Sequence, residues 1–312
     1  MSARPFRFGI LAKQARPAKE FAELARKAEA LGLSTLYVPD HFVDHPLAPI
    51  PAMATAAAVT DTLRVGALVL GNDYKHPVVL ARELATIDLL SDGRLEAGLG
   101  AGWMTVDYEK AGIPLDRPGV RIDRLIESVA IMKGLFADGP FSFSGEHYSI
   151  TELDGHPKPV QQPVPFVIGG GGKRVLSYAA READVVGINA NLKSGDPNAH
   201  DAALSLSGPS TDQKIGWVRE AAGARFDRIE LQSLVGFVHV TEDPDALAAG
   251  IAGSFEVAAD EALHTPVLLI GTVESMIEEL RYRRERWGFS YHVFPEEFLD
   301  DVAPVVGALA GT

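Results

Sequence analysis

FRFGILAKQARPAKEFAELARKAEALG, residues 6–32, is the stretch from which the fold is read. Phe6 to Ala12 is a short apolar run of strand type. From Pro17 to Leu31 apolar side chains return at Phe21, Leu24, Ala25, Ala28 and Leu31, a helical period, and Gly32 stands where such a helix stops. A strand followed at once by an amphipathic helix is one βα unit, and the pattern recurs. Strand Thr35 to Pro39 precedes helix Ala52 to Val59, Leu63 to Leu70 precedes Val78 to Leu90, and Leu95 to Gly100 precedes Val120 to Phe136. FSFSGEHYSI, 141–150, breaks the rhythm by alternating aromatic and polar residues around Ser144-Gly145, as an inserted antiparallel hairpin does. The alternation resumes with Pro165 to Ile168 and Lys173 to Ala183, Val185 to Ile188 and a helix near Asp212 to Ala222, then Gln232 to Val240 and Ala246 to Ala258. A helix around Glu274 to Trp287 leads into strand Tyr291 to Phe294 and a last helix from Phe298.

Strands separated by helices pair in parallel through right-handed crossovers, and eight such units close an α/β fold of the (β/α)8 TIM-barrel type. An open doubly wound sheet is the other architecture this order allows. Residues 191–209, where Gly, Pro, Asp, Asn and Ser interleave, read as a loop insertion after the sixth strand. No interdomain linker is visible, so 1–312 reads as a single domain carrying these two insertions.

Of the 312 residues 46% are hydrophobic and 23% charged, enough apolar material for a large core and too much for extended disorder. The net charge of −13 argues against nucleic acid and anionic membrane as partners, because both are held through Lys and Arg. With no Cys, disulfides, thiolate nucleophiles and Cys-type metal sites are excluded. The opening MSARPFRFGI lacks the pattern of a signal peptide and no apolar run approaches the ~20 residues of a membrane span, so a cytoplasmic protein acting on a small molecule is expected.

In a barrel the reactive groups gather at the carboxyl ends of the strands, here PDHF, LGNDYKHP, GLGAGW and GGGGKR. Asp40 and His41 follow the second strand, where an imidazole beside a carboxylate can trade a proton near neutral pH or simply cap a turn. His41 and His45, with Asp40 and Asp44, would suit a metal only on a helix, and Pro39 and Pro46 bracket the segment; no metal is expected. Gly98, Gly100 and Gly102 could let backbone approach a flat ligand or a phosphate, although GxGxG alone is weak. Gly169, Gly170, Gly171 and Gly172, followed by Lys173 and Arg174, favour a phosphate cradle at a helix start over a merely permissive turn. The Walker, GxGxxG and GxSxG patterns are absent.

Taken together, FRFGI, LYVPDHF, LRVGALVLGNDYKHP, LSDGRLEAGLGAGW, GVRIDRLIESVAIMKGLF, GEHYSI, KPVQQPVPFVIGGGGKR and AAREADVVG resemble, in order and over nearly the whole chain, the bacterial luciferase-like flavin and deazaflavin oxidoreductases. The branch most similar is the actinobacterial group dependent on coenzyme F420. The resemblance implies a deazaflavin at the barrel mouth that carries the hydride, with FMN as the alternative cofactor. It implies a non-prolyl cis peptide within Ala67, Leu68 and Val69 beneath the ring, and cofactor contacts from Asp40, Asn72, Gly100, Ala101, Gly102 and the Gly169–Arg174 segment. It makes His41 the catalytic residue and a homodimer the expected assembly. The sugar-phosphate dehydrogenases of the family carry an acid after GLGAG where this chain has Trp103, so Trp103 is expected to wall an apolar substrate pocket or stack on the ring. The function implied is F420-dependent hydride transfer to or from a small organic substrate. The alternatives are an FMN-dependent monooxygenase and a non-catalytic cofactor-binding barrel.

Overall fold

Strand β1 (Arg7–Leu11) enters the centre of the molecule with Phe8 and Ile10 turned outward and Leu11 turned inward, the alternation a strand imposes. The computed structural model describes residues 4–43 and 45–312. Helix α1 (Ala18–Ala30) lays Phe21, Ala22, Ala25 and Ala28 against the sheet, and Gly32, at φ +82°, ends the turn in a conformation that a side chain disfavours.

Seven further strands follow: β2 (Thr35–Val38), β3 (Arg64–Ala67), β4 (Leu95–Gly100), β5 (Phe166–Gly170), β6 (Val185–Ile188), β7 (Glu230–Leu234) and β8 (Phe289–Pro295). Their order is β3-β2-β1-β8-β7-β6-β5-β4, every pairing is parallel, and β3 pairs back onto β4. The sheet is therefore a closed eight-stranded barrel, and the open-sheet alternative falls. Helices α2 (Pro49–Ala58), α3 (Pro77–Leu90), α4 (Pro118–Phe136), α5 (Lys173–Glu182), α6 (Gly208–Ala222), α7 (Val273–Trp287) and α8 (Leu299–Leu309) surround it. The main core lies between strands and helices; a smaller one, with Leu11, Tyr37, Val167, Val185, Tyr291 and Val293, fills the barrel. Among the described residues no helix is long and apolar enough to cross a membrane.

Three segments differ from expectation. Leu63 to Leu70 is two strands: β3 ends at Ala67, the Leu68–Val69 peptide is cis, and Leu70–Gly71 then pairs with Leu99 and Gly100. Gln232 to Val240 is also two. β7 stays in the barrel, whereas Phe237–Val240 leaves after Gly236 and pairs with Leu268–Gly271 outside it, around the helix Pro244–Phe255. The helix that returns the chain to β8 is α7. Finally, 191–209 contains the helix His200–Leu204 and the start of α6. The hairpin joins Phe141–Ser144 to Ser149–Leu153.

The barrel floor is ionic. Glu96, 2% exposed, accepts from Arg7, from Arg64 Nε at 3.0 Å, from Tyr37 and from Tyr291 at 3.2 Å, while Arg7 also reaches Glu230 at 2.7 Å. Gln232 Nε2 donates to the Tyr37 hydroxyl at 3.2 Å. Burial raises the proton affinity of Glu96, but the two guanidinium groups and the phenol donors outweigh it, leaving its carboxyl below the usual range. Glu230, with one Arg partner, moves upward because burial dominates.

Candidate active site at the barrel mouth

Pro39, Asp40 and His41 follow β2 directly, and consecutive residues of an extended chain point to opposite sides. Asp40 turns toward the third strand's end, where its Oδ2 accepts from Gly71 N–H at 2.9 Å, and burial raises its pKa. Neighbours in sequence, Asp40 and His41 thus have different partners.

The partner of His41 is Asp107. Nδ1 of His41 lies 2.6 Å from Asp107 Oδ2, while Asp107 Oδ1 accepts from Phe42 N–H and Val43 N–H, each at 2.9 Å. Tyr74 donates to the same carboxylate at 3.4 Å. Asp107 is fully buried, and its carboxylate accepts from two backbone N–H groups on one oxygen and faces the ring with the other, so the ring donates from Nδ1. Among the described residues Nε2 of His41 bonds to no protein group. Sequence reading missed Asp107, which stands on the short helix Thr105–Ala111. The available signal was only its place just after the strand-end segment GLGAGW. Trp103 follows GLGAG, and Asp107 on the helix after it faces His41.

Trp103 is half-buried with its ring 5.3 Å from that of His41 and nearly edge-on, at 73°. His45 stands 5.4 Å from His41 on another side. Among the described residues no group of three or more ligands is placed to hold a metal; Asp44 lies outside the described residues.

The glycines in and just after β4 serve packing. A Cβ on Gly98 would sit 1.8 Å from the Ala67 carbonyl oxygen, and one on Gly100 2.5 Å from a Val69 methyl, so β4 closes against the cis segment at Leu68–Val69. Gly102 lies against the Tyr108 hydroxyl and its carbonyl accepts from Arg121; Ala101 packs on the core beside it. Below them Arg124 grips Asp73 with two N–H groups at 2.9 and 3.1 Å, and Tyr108 adds a third donor at 3.1 Å. Asn72, in the same turn, is 1% exposed and its Nδ2 has no hydrogen-bond partner.

Gly169 and Gly170 end β5, and Gly172 caps α5 without any side-chain hydrogen bond to the first turn. Gly169 lies against the Asn189 amide and Gly170 against Val175. A Cβ on Gly171 would come within 2.0 Å of the Ala190 carbonyl, whereas one on Gly172 meets nothing within 4 Å. The open side of the cradle is therefore at Gly172. The two cations are already engaged: Lys173 stands 3.7 Å from Glu220, and Arg174 bonds Asp123 and the Gly119 carbonyl. Backbone N–H groups, more than bare charge, remain for an anion.

Cavities of about 370 and 440 Å3 lie on the flank, away from His41. The second is lined by Lys133 and Arg225, which already hold the last carbonyls of α5.

The family described as luciferase-like monooxygenase matches residues 3–203. An F420-dependent glucose-6-phosphate dehydrogenase of Amycolatopsis mediterranei is 31% identical over 173 residues, 53% of this chain and 52% of that protein. The chain thus spans about half the length of that curated relative. An uncharacterized protein of Mycobacterium tuberculosis is 31% identical over 240 residues, 70% of this chain and 77% of its own. Among solved structures, the coenzyme F420-dependent tetrahydromethanopterin reductase of Methanopyrus kandleri superposes with a TM-score of 0.77 over 98% of both chains at 17% identity. An F420-dependent secondary alcohol dehydrogenase gives 0.75 at 19% identity over 98% of this chain and 99% of its own; at such identities the likeness concerns the fold. A match over most of the chain, on a closed barrel whose strand ends carry the expected segments, leaves one conclusion: the chain belongs to the luciferase-like monooxygenase family.

Proposed function

We propose that this protein is a coenzyme F420-dependent oxidoreductase that exchanges a hydride between the deazaflavin and a small organic substrate, with His41 exchanging the accompanying proton. The observation that carries the proposal is the 2.6 Å contact between His41 and the buried Asp107. It fixes the ring proton on Nδ1, so Nε2 accepts a proton when the ring is neutral and donates one when it is charged. Asp107 holds the ring's orientation, itself fixed by the two backbone N–H groups that its carboxylate accepts from.

The residues present fit the cofactor. The orphaned Asn72 amide is a buried donor awaiting an acceptor, and the uncapped first turn of α5, open at Gly172, is suited to a phosphate. Ala67, Leu68 and Val69 support the mouth between β3 and β4. When bound, the deazaflavin supplies the carbon that gives or takes the hydride. For a carbonyl substrate the oxygen takes its proton from His41 Nε2, and an alcohol returns it there. Trp103 walls the reactant side beside that nitrogen with an apolar face. The F420-dependent relatives support this cofactor over FMN. We extend the proposal to a cytoplasmic homodimer acting on a small molecule, with neither nucleic acid nor membrane as partner, in keeping with the net charge of −13.

Oxygen separates this reading from an FMN monooxygenase, because reduced FMN reacts with it rapidly and a 5-deazaflavin hardly at all. Turnover is expected to proceed at the same rate in air and under argon, followed by cofactor absorbance. Turnover that stops without oxygen would overturn the reading.

A further inference from the structure

Lys214 lies on α6 and is only 2% exposed, yet among the described residues it pairs with no carboxylate. Its ammonium donates to two backbone carbonyls, that of Asn189 at 2.7 Å and that of Ser205. These carbonyls flank the two ends of one loop. Asn191 N–H donates to Ser205 Oγ at 2.7 Å, so the two ends of 191–205 lie side by side, as in an Ω-loop. Inside it Gly195, at φ +79°, is seated so closely that a Cβ would lie 2.1 Å from Thr105 Oγ1 and 3.3 Å from the Trp103 carbonyl oxygen. The loop thus rests on the segment that carries Trp103 and leads to Asp107.

We propose that Lys214 is the positioning residue of the 191–205 loop: by bridging the Asn189 and Ser205 carbonyls it holds the loop shut over the Trp103–Thr105 wall, and opening the loop hands this ammonium back to water. The consequence for substrate entry rests on the mouth being the reactant site; the clamp itself does not.

A buried ammonium with no counter-charge is costly, and burial pulls the Lys214 pKa down to about 8 from 10.5. Charged groups on the surrounding elements are engaged elsewhere or distant. On α6 itself Asp212 binds Arg286 of α7, which also holds Glu261, and α5 brings Lys173 to Glu220. Within the loop His200 pairs with Glu256, and Lys193, Asp196 and Asp201 make no bond to Lys214. Tyr178 of α5 and Arg219 and Arg283 likewise make none. The sign follows from linkage: the open loop, with Lys214 in water, binds the proton more tightly than the closed loop. Protonation therefore favours opening, and closure strengthens as pH rises through about 8. Between pH 7 and pH 9 the closed-to-open ratio should rise about tenfold.

The loop carries its own reporter, the exposed Lys193. The experiment is limited tryptic digestion of the whole protein at pH 7 and pH 9, reading the cut after Lys193 and normalising to a free peptide substrate. The wild type should be cut about tenfold more slowly at pH 9. In Lys214→Met the pH ratio should fall within twofold and cutting at pH 9 should be at least about fivefold faster than in the wild type. Lys214→Arg, charged at every pH, should also lose the pH dependence and hold the loop no more firmly at pH 9 than the wild type holds it at pH 7. A wild-type ratio within twofold overturns the proposal even if the Met variant does not fold, and so does a Met variant cut like the wild type. Neither outcome bears on whether the protein binds F420.

Discussion

Replacing His41 with Asn will slow hydride transfer by at least about tenfold, and by as much as the 10² to 10⁴ that a positioned acid–base group typically supplies, while cofactor affinity stays nearly unchanged. Asn keeps a polar side chain and limits the packing loss beside Trp103. Asp107→Asn should move activity in the same direction. An amide can still accept from one side, but it no longer fixes the ring tautomer. The Phe42 and Val43 N–H groups share Oδ1, so an amide that keeps its oxygen there turns its nitrogen toward His41 and Tyr74, and the contacts on that side, with some thermal stability, are lost. Single-turnover bleaching or recovery of cofactor absorbance, with a substrate found by screening ketones and alcohols, measures both. A His41→Asn enzyme that binds cofactor and turns over like the parent would make His41 structural.

The second large effect is on stability and falls at the other end of the barrel. Glu96→Ala takes the shared carboxylate from two guanidinium groups and two phenols in the floor, leaving Arg7 with Glu230, Arg64 with Leu95 and Gln161, and Tyr291 with the Tyr37 hydroxyl. Removing one member of a buried ion network costs about 3 to 5 kcal/mol. Arg7 and Arg64 are 29% and 26% exposed and partly hydrated, which points to the lower figure and a fall in Tm of roughly 5 °C for a chain of this length. Cofactor binding should survive. The pH dependence has a definite sign: the folded pKa of Glu96 is depressed, so its contribution is complete above the usual carboxylate range and is lost as pH falls through the folded value. The acid limb of a Tm–pH profile should therefore flatten in the variant. Equal acid sensitivity in both proteins would mean that Glu96 is not what holds the floor.

What could be read from the sequence was what is local. The βα alternation announces itself within each window of about fifteen residues, and the closed barrel followed from it. His41 drew notice because it ends a strand. Asp107 did not, because its contact with His41 spans 66 positions and no spacing rule reaches that far. Likewise Arg7, Arg64, Glu96 and Glu230 look like separate surface charges in the sequence and meet only when the barrel closes. Gln232 to Val240 was read as one strand because Leu234 and Val235 keep the apolar run unbroken where the chain leaves the barrel. Lys173 and Arg174 invite an electrostatic cradle in one dimension; in three, Glu220 and Asp123 have already claimed them.

The central claim is tested most directly by titrating the purified protein with coenzyme F420 and with FMN, alongside the variant Gly172→Asp. Gly171 is the wrong position for that variant, since any side chain there strikes the Ala190 carbonyl and the fold would suffer first. At Gly172 there is room, and Asp is a favourable helix cap, so its carboxylate should occupy the first turn of α5 in place of a phosphate without harming stability. The account predicts that F420 binds the wild type more tightly than FMN, and that Gly172→Asp weakens F420 binding at least about tenfold with an unchanged Tm. Tight binding of FMN alone, or F420 affinity within twofold of the wild type in a folded Gly172→Asp, would contradict it.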